Sequence, residues 1–253
     1  MDMFDAVKIK DQLVEWIRKY FLDNGSSETK AIIGVSGGKD SSVVAALCVS
    51  AIGKERVLGV LMPQGRQRDI DVAYELCKEL GIEYLEINIQ NTVQTLYDVI
   101  EKTGLKLDND AILNTPARVR MTTLYAISAI IGGRVANTCN LSENWVGYAT
   151  KFGDAAGDFS PLANMTVTEV VAVGRAIGLA SKFIDKTPAD GLCGKTDEDN
   201  LGFTYKTLDM YIRDGRIDNY GGDTETNRIK AKIDRLHENN LHKMNPTPAF
   251  LPL

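Results

Sequence analysis

Residues 32–44 read Ile-Ile-Gly-Val-Ser-Gly-Gly-Lys-Asp-Ser-Ser-Val-Val, two apolar runs joined by a loop of small residues that ends in a carboxylate. Gly37 and Gly38 permit backbone angles and close approaches that a Cβ forbids, so successive N–H groups can converge on phosphate oxygens at a helix N-terminus. Ser36 and Ser41 add hydroxyl donors, and Lys39 adds positive charge. Asp40 is the informative member. A carboxylate beside a phosphate repels it unless a cation sits between them, which points to Mg²⁺. The polar run Asn137-Thr138-Cys139-Asn140-Leu141-Ser142-Glu143-Asn144 offers Glu143 as a second oxygen ligand, its alternative role being a helix-start carboxylate. Together these residues read as a pyrophosphate site beside a metal.

A strand and a helix must hold such a loop. Ala31 to Val35 is a short apolar run suited to a buried parallel strand, and Ser42 to Ile52 follows as a core helix. The same alternation continues along the chain. Asp5 to Asp23 reads as an amphipathic helix, with Ile9, Leu13, Trp16, Ile17 and Tyr20 on one stripe. Val57 to Met62 is a second strand, Asp69 to Leu80 a helix stopped by Gly81, Glu83 to Ile87 a third strand, and Val93 to Thr103 a further helix. Pro116 fits the first turn of a long helix through Ile131 that Gly132-Gly133 ends, and Arg134 to Thr138 is a fourth strand. The pattern predicts an α/β fold, an open, doubly wound, mostly parallel sheet flanked by helices. Ligands should gather at the carboxyl ends of the strands, where strand order reverses.

With 253 residues, one α/β domain can bury a full core. Residues 1–23 mix Asp5, Lys8, Lys10, Asp11 and Glu15 among apolar positions, which suits neither a signal peptide nor a membrane span, and points to a cytoplasmic protein. Cys48, Cys77, Cys139 and Cys193 contain no C-x-x-C pair and suit reduced, packed thiols. A net charge of −5 supplies no field for nucleic acid, so a polyanionic substrate must be held by locally placed basic residues.

The loop is not a Walker A motif, because only three residues separate Gly34 from Gly38 and Lys39 is followed by Asp40. Nor does it spell the G-x-G-x-x-G of dinucleotide sites. Gly34-Val35-Ser36-Gly37-Gly38-Lys39-Asp40-Ser41 instead resembles the SGGxDS loop of the PP-loop ATP pyrophosphatases, which cleave ATP between its α and β phosphates and adenylate a substrate.

Four further segments sharpen the resemblance. These are Asn114-Thr115-Pro116-Ala117-Arg118-Val119-Arg120-Met121, the run Asn137 to Glu143, Thr150-Lys151-Phe152-Gly153-Asp154 with Asp158 and Pro161, and His242-Lys243-Met244-Asn245-Pro246. Together they are similar to the ammonia-dependent NAD synthetases. The resemblance covers nearly the whole chain and implies one synthetase domain over 1–253 with an adenine nucleotide alpha hydrolase-like fold. Within it lie the PP-loop at 34–41, a lid loop at 189–200 and a substrate-binding tail at 237–253. The implied reaction is a ligation, the last step of NAD biosynthesis: ammonia amidates deamido-NAD to NAD through an adenylate, with ATP released as AMP and pyrophosphate.

The resemblance also implies roles. Gly34 to Ser41 and Thr138 bind ATP, while Asp40 and Glu143 bind Mg²⁺. Arg118, Lys151, Asp158, His242 and Lys243 line the deamido-NAD site. From the chemistry of the amidation, and not from the resemblance, Asp158 is further read as orienting or deprotonating ammonium. In the family the His-Lys pair comes from a partner subunit, which implies a homodimer with sites at the subunit interface.

One position departs from the pattern. Many family members carry an ATP-contacting lysine where this chain has Val167, and Lys186 or Lys195 is expected to replace it, Lys195 lying in the lid. The acidic run Asp197-Glu198-Asp199 reads as solvated loop charge. Only 30 residues precede the first strand, too few for a fused glutaminase domain, so free ammonia is the expected nitrogen source unless a separate amidase subunit delivers it. The rival reading, a tRNA-thiolating PP-loop enzyme, would need Cys139 and Cys193 as catalytic thiols and a basic surface that the composition does not supply.

Overall fold

The computed structural model describes residues 4–67, 70–185, 197–217, 220 and 222–250. Asp5 caps the first helix by accepting the Lys8 amide at 3.1 Å, and α1 runs Ala6–Asn24. Then follow β1 (Ala31–Gly34), α2 (Lys39–Ile52), β2 (Val57–Leu61), α3 (Ile70–Leu80), β3 (Glu83–Glu86), α4 (Gln90–Glu101), α5 (Asn109–Ile131) and β4 (Arg134–Val135). Six helices close the described chain: α6 (Leu141–Val146), α7 (Val167–Ala176), α8 (Ser181–Ile184), α9 (Asp197–Leu201), α10 (Tyr205–Asp214) and α11 (Asp223–Met244).

The strands form one parallel sheet in the order β3-β2-β1-β4, with Ala31 opposite both Val57 and Arg134. The chain therefore steps outward from β1 to β3 and returns to the other side of β1 for β4. Strand order reverses there, so the loops leaving β1 and β4 open side by side.

Alternation along the strands fills two cores. Ala31, Ile33 and Val35 join Ile17 and Phe21 of α1, Leu47 of α2, Leu76 of α3, Val170 of α7 and Phe183 of α8 on one face. Ile32, Leu58 and Val60 point the other way, onto Val93 and Tyr97 of α4 and Val119 and Ile127 of α5. This is the doubly wound sheet that the periodicity predicts.

Two elements differ from expectation. Pro116 lies well inside α5, not in its first turn. Proline cannot donate to the carbonyl four residues back, and here the Ile112 carbonyl instead accepts the Tyr97 hydroxyl at 3.0 Å, which lets the helix run through. The fourth strand is shorter than Arg134 to Thr138 because its outer edge is taken by a side chain: Asp158 Oδ2 accepts the Val135 amide at 2.7 Å, and only a single bridge, Ala136 to Phe159, follows.

A satellite core joins α6, α7, α10 and α11 through Val146, Val167, Leu208, Ile229 and Ile233. Its polar centre is the buried Asp209, which accepts the Ser142 hydroxyl at 2.5 Å and the Thr168 amide at 2.7 Å, tying α10 to α6 and to the start of α7. The segment read as a tail from residue 237 is helical through Met244, as the end of α11.

Candidate active site

The loop after β1 is shaped by close packing. Gly37 has φ +78°, and a Cβ there would stand 3.2 Å from the Ala73 amide nitrogen of α3, so both conformation and space call for glycine. Ser36 Oγ accepts the Gly38 amide at 3.2 Å, and the Ser41 and Ser42 hydroxyls both donate to the Gly38 carbonyl, at 3.1 and 2.8 Å. Gly38 caps α2 without a side chain. The first-turn amides of Lys39, Asp40 and Ser41 therefore have no acceptor within the helix, the arrangement that binds anions.

Across the sheet reversal, α6 presents the opposite wall. Asn140, wholly buried, caps α6 by accepting the Glu143 amide at 3.0 Å, and Glu143 Oε2 reaches back to the Asn140 amide at 3.4 Å. The Asn140 Nδ2 then donates to Asp40 Oδ1 at 3.0 Å. Lys39 lies between the two carboxylates, its Nζ 2.8 Å from Asp40 Oδ2 and 3.8 Å from Glu143 Oε1, with 5% of its side chain exposed and the Tyr205 ring 5.8 Å away. Burial works against the Lys39 charge, but Asp40 and Glu143 together outweigh it and hold the ammonium above its ordinary pKa. Burial and the adjacent Asp40 push the Glu143 carboxyl up to about 8, with Lys39 opposing. Thr138 is half-buried in the exit of β4, two positions before Asn140.

The substrate candidates meet on the α5 side. Arg118 Nε donates to the Lys151 carbonyl at 3.4 Å, and Lys151 Nζ donates to the His242 carbonyl. Lys243 Nζ donates to the Gly147 carbonyl at the end of α6 at 2.7 Å, and burial lowers its pKa. His242 is exposed, with Nδ1 3.1 Å from the Asn239 carbonyl. These four meet within one subunit, by α11 docking on α6, whereas the resemblance implies that His242 and Lys243 arrive from a partner subunit. Phe152, 59% exposed, holds a φ of +59° with the Lys151 ammonium 5.4 Å over its ring. For a bulky residue this backbone is unusual and marks a constrained loop.

Asp158 stands outside that set. Its Oδ1 accepts the Tyr125 hydroxyl at 3.3 Å while Oδ2 closes the edge of β4, so both oxygens are engaged.

Two residues without an assigned role from sequence enter the site. Asn140 couples the two carboxylates, and its signal was the capping pattern Asn-Leu-Ser-Glu itself. Arg120 donates from Nε to the Met62 carbonyl, just past the carboxyl end of β2, at 3.1 Å. Two positions from Arg118 on the same helix, it faces a different direction. Burial lowers its pKa, with Asp154 opposing.

Val167 is buried in the satellite core, beside the same cluster as Tyr205. Lys186, Lys195 and residues 189–196 of the lid lie outside the described residues. The acidic run that closes that segment is not loop: it forms the first turn of α9, where Glu198 Oε1 accepts the Tyr205 amide at 2.7 Å and Asp197 Oδ2 accepts the Tyr205 hydroxyl at 3.3 Å. Cys139 is buried and its thiol is pushed well up by burial and then by Asp154, Glu143 and Asp40, which disfavours a thiolate. Cys193 lies outside the described residues.

Among the described residues, no group of three or more His, Cys, Asp and Glu side chains could hold a metal ion. The Asp40 and Glu143 pair instead suits Mg²⁺, which is commonly held by one or two carboxylates with the rest of its shell from phosphates and water. No described helix is long and apolar enough to cross a membrane.

Comparison with known proteins gives a consistent picture. A family model described as NAD synthase matches residues 9–247. The NH3-dependent NAD+ synthetase of Pyrococcus furiosus is 40% identical over 206 residues, 81% of this chain and 77% of that one. Among solved structures, an NMN synthetase from Francisella tularensis superposes with a TM-score of 0.84 at 30% identity, covering 98% of this chain and 100% of that one. An NH3-dependent NAD synthetase from Campylobacter jejuni superposes with a TM-score of 0.77 at 28% identity, again over 98% and 100%.

Proposed function

The chain belongs to the NAD synthase family, and from that membership we propose that it is an ammonia-dependent synthetase that amidates deamido-NAD to NAD with ATP. The observation that carries the reading is the meeting of the loop after β1 with α6, joined by the Asn140 to Asp40 hydrogen bond at 3.0 Å. A nicotinate carboxylate is anionic and resists ammonia, so it must first be activated. Its oxygen attacks the α-phosphorus of ATP and pyrophosphate leaves, and ammonia then attacks the acyl adenylate carbonyl and AMP leaves. Much of the acceleration in such a scheme comes from positioning and preorganised charge.

Each side chain has a part in this. Asp40 and Glu143 would hold Mg²⁺, whose contribution when bound is to neutralise charge on the departing pyrophosphate. The first-turn amides of α2 with Ser36 and Ser41 cradle the phosphates, and Thr138 contacts ATP. Arg118, Lys151, His242 and Lys243 supply the local positive charge that a chain of net charge −5 needs for a dinucleotide. Asp158, held in the sheet edge by Val135 and Tyr125, is assigned to ammonium as an orienting carboxylate.

The enzyme works as a homodimer in the cytoplasm. Leu96 and Val99 on α4 and Ile112 and Leu113 on α5 are exposed apolar residues on adjacent helices, and a second copy would cover them.

A second reading, amidation of the mononucleotide, is favoured by the TM-score of 0.84 to the Francisella protein. Purified protein is incubated with Mg-ATP, ammonium and either deamido-NAD or nicotinic acid mononucleotide. The reading expects stoichiometric AMP and NAD from the dinucleotide. Faster turnover of the mononucleotide establishes the second reading, and ADP as product removes both.

A further inference from the structure

Lys39 neighbours the proposed metal ligands in sequence, yet its ammonium is turned away from solvent and onto their oxygens. Asp40 Oδ1 accepts from Asn140 at 3.0 Å and Asp40 Oδ2 from Lys39 Nζ at 2.8 Å, so a metal bound through Oδ2 would meet the lysine ammonium. The same ammonium stands 3.8 Å from Glu143 Oε1. A Mg²⁺ ion sits about 2.0–2.1 Å from a carboxylate oxygen, so ion and ammonium cannot both take these positions without close like-charge repulsion.

We propose that Lys39 is the resident cation of this site and that nucleotide binding exchanges it for the divalent metal. The exchange has a built path. Lys39 is the first residue of α2, and its neighbours' amides form the anion cradle, so a triphosphate seated there offers the ammonium a second set of oxygens within reach of its own side chain. Moving onto the phosphates, Lys39 frees Asp40 and Glu143 together. The metal thus loads with nucleotide and not ahead of it. Until then the ammonium keeps two carboxylates together that would otherwise repel, with the Tyr205 ring 5.8 Å away. The inference rests on the proposed metal role of Asp40 and Glu143.

The test uses Mn²⁺ as the probe, its free concentration read by electron paramagnetic resonance with nucleotide-free protein, on the parent, Glu143→Gln, Lys39→Met and Lys39→Met/Glu143→Gln. Lys39→Gln replaces the methionine variant if the latter does not fold. Removing the competing charge should tighten Mn²⁺ about tenfold or more, and Glu143→Gln should cancel that gain. In parallel, ATP affinity in the presence of EDTA should fall about tenfold on loss of Lys39, since the phosphates lose a charge-assisted partner. A lysine with only a packing role would weaken both ligands alike. Unchanged or weaker Mn²⁺ binding by the Lys39 variants, with the parent still sensitive to Glu143→Gln, overturns the exchange and leaves the metal site standing. Mn²⁺ binding indifferent to Glu143→Gln in every background overturns the metal site itself and the inference with it.

Discussion

Asn140 donates from Nδ2 to Asp40 Oδ1 at 3.0 Å across 100 residues of chain, while its own Oδ1 caps the helix that carries Glu143. One amide thereby fixes the loop after β1 against the loop after β4. Replacing it with alanine removes the cap and the link together. Asn140→Ala should lower stability by about 1–2 kcal/mol and weaken metal-dependent activity about 10–100-fold. Urea melts and kcat/KM against free Mg²⁺ measure the two effects, and an unaltered Mg²⁺ dependence would count against the link.

The Tyr97 hydroxyl takes the carbonyl that Pro116 cannot serve. Tyr97→Phe should cost about 1 kcal/mol. In a Pro116→Ala background, where residue 116 regains its amide, the same change should cost less. A double-mutant cycle of urea midpoints checks this, and a coupling energy of zero would mean that the hydroxyl does not compensate the proline.

Gly147 ends α6 with φ +74°, and a Cβ there would fall 1.9 Å from the Asn240 side chain of α11. Gly147→Ala must either displace Asn240 or lift α11, at a cost of about 1–3 kcal/mol. Because His242 and Lys243 ride on the last turn of α11, KM for the nucleotide substrate should rise more than kcat falls. Steady-state kinetics with a folded variant decide it, and a pure kcat effect would contradict the proposed role of that turn.

Asp209 has its pKa raised by burial, with Ser142 and Thr168 opposing. A carboxyl raised in the folded state favours the protonated form there. Its stabilising contribution is complete below the ordinary aspartate pKa and is lost as pH rises through the folded value. Asp209→Asn, which keeps an acceptor for the Thr168 amide, should therefore gain stability relative to the parent as pH rises from about 4 to 7. Parallel urea melts across that range give the slope, and curves that stay parallel would show that Asp209 does not titrate in folding.

The sheet and the phosphate loop were legible because both rest on local signals, apolar runs for β1 and β2 and small residues with a carboxylate for the loop. Pro116 was misplaced because local rules put proline at a helix start, whereas the structure supplies a hydroxyl from α4, a contact made by tertiary packing. The short β4 was unreadable for a similar reason, since Asp158 closes its edge from 23 residues away. The segment from α6 to α11 builds its own apolar cluster, but how its helices meet depends on long-range polar contacts, the buried Asp209 hub and the cap at Asn140. The burial of Lys39 could not be inferred from a motif in which a lysine ordinarily reads as phosphate charge.

The reversal of strand order at β1 also bears on how the chain is made. β1 and its loop emerge early from synthesis, while Asn140 and Glu143 become available only once β4 has been laid beside β1. The complete site therefore depends on a strand pairing between segments about 100 residues apart, a contact of the kind that slows folding.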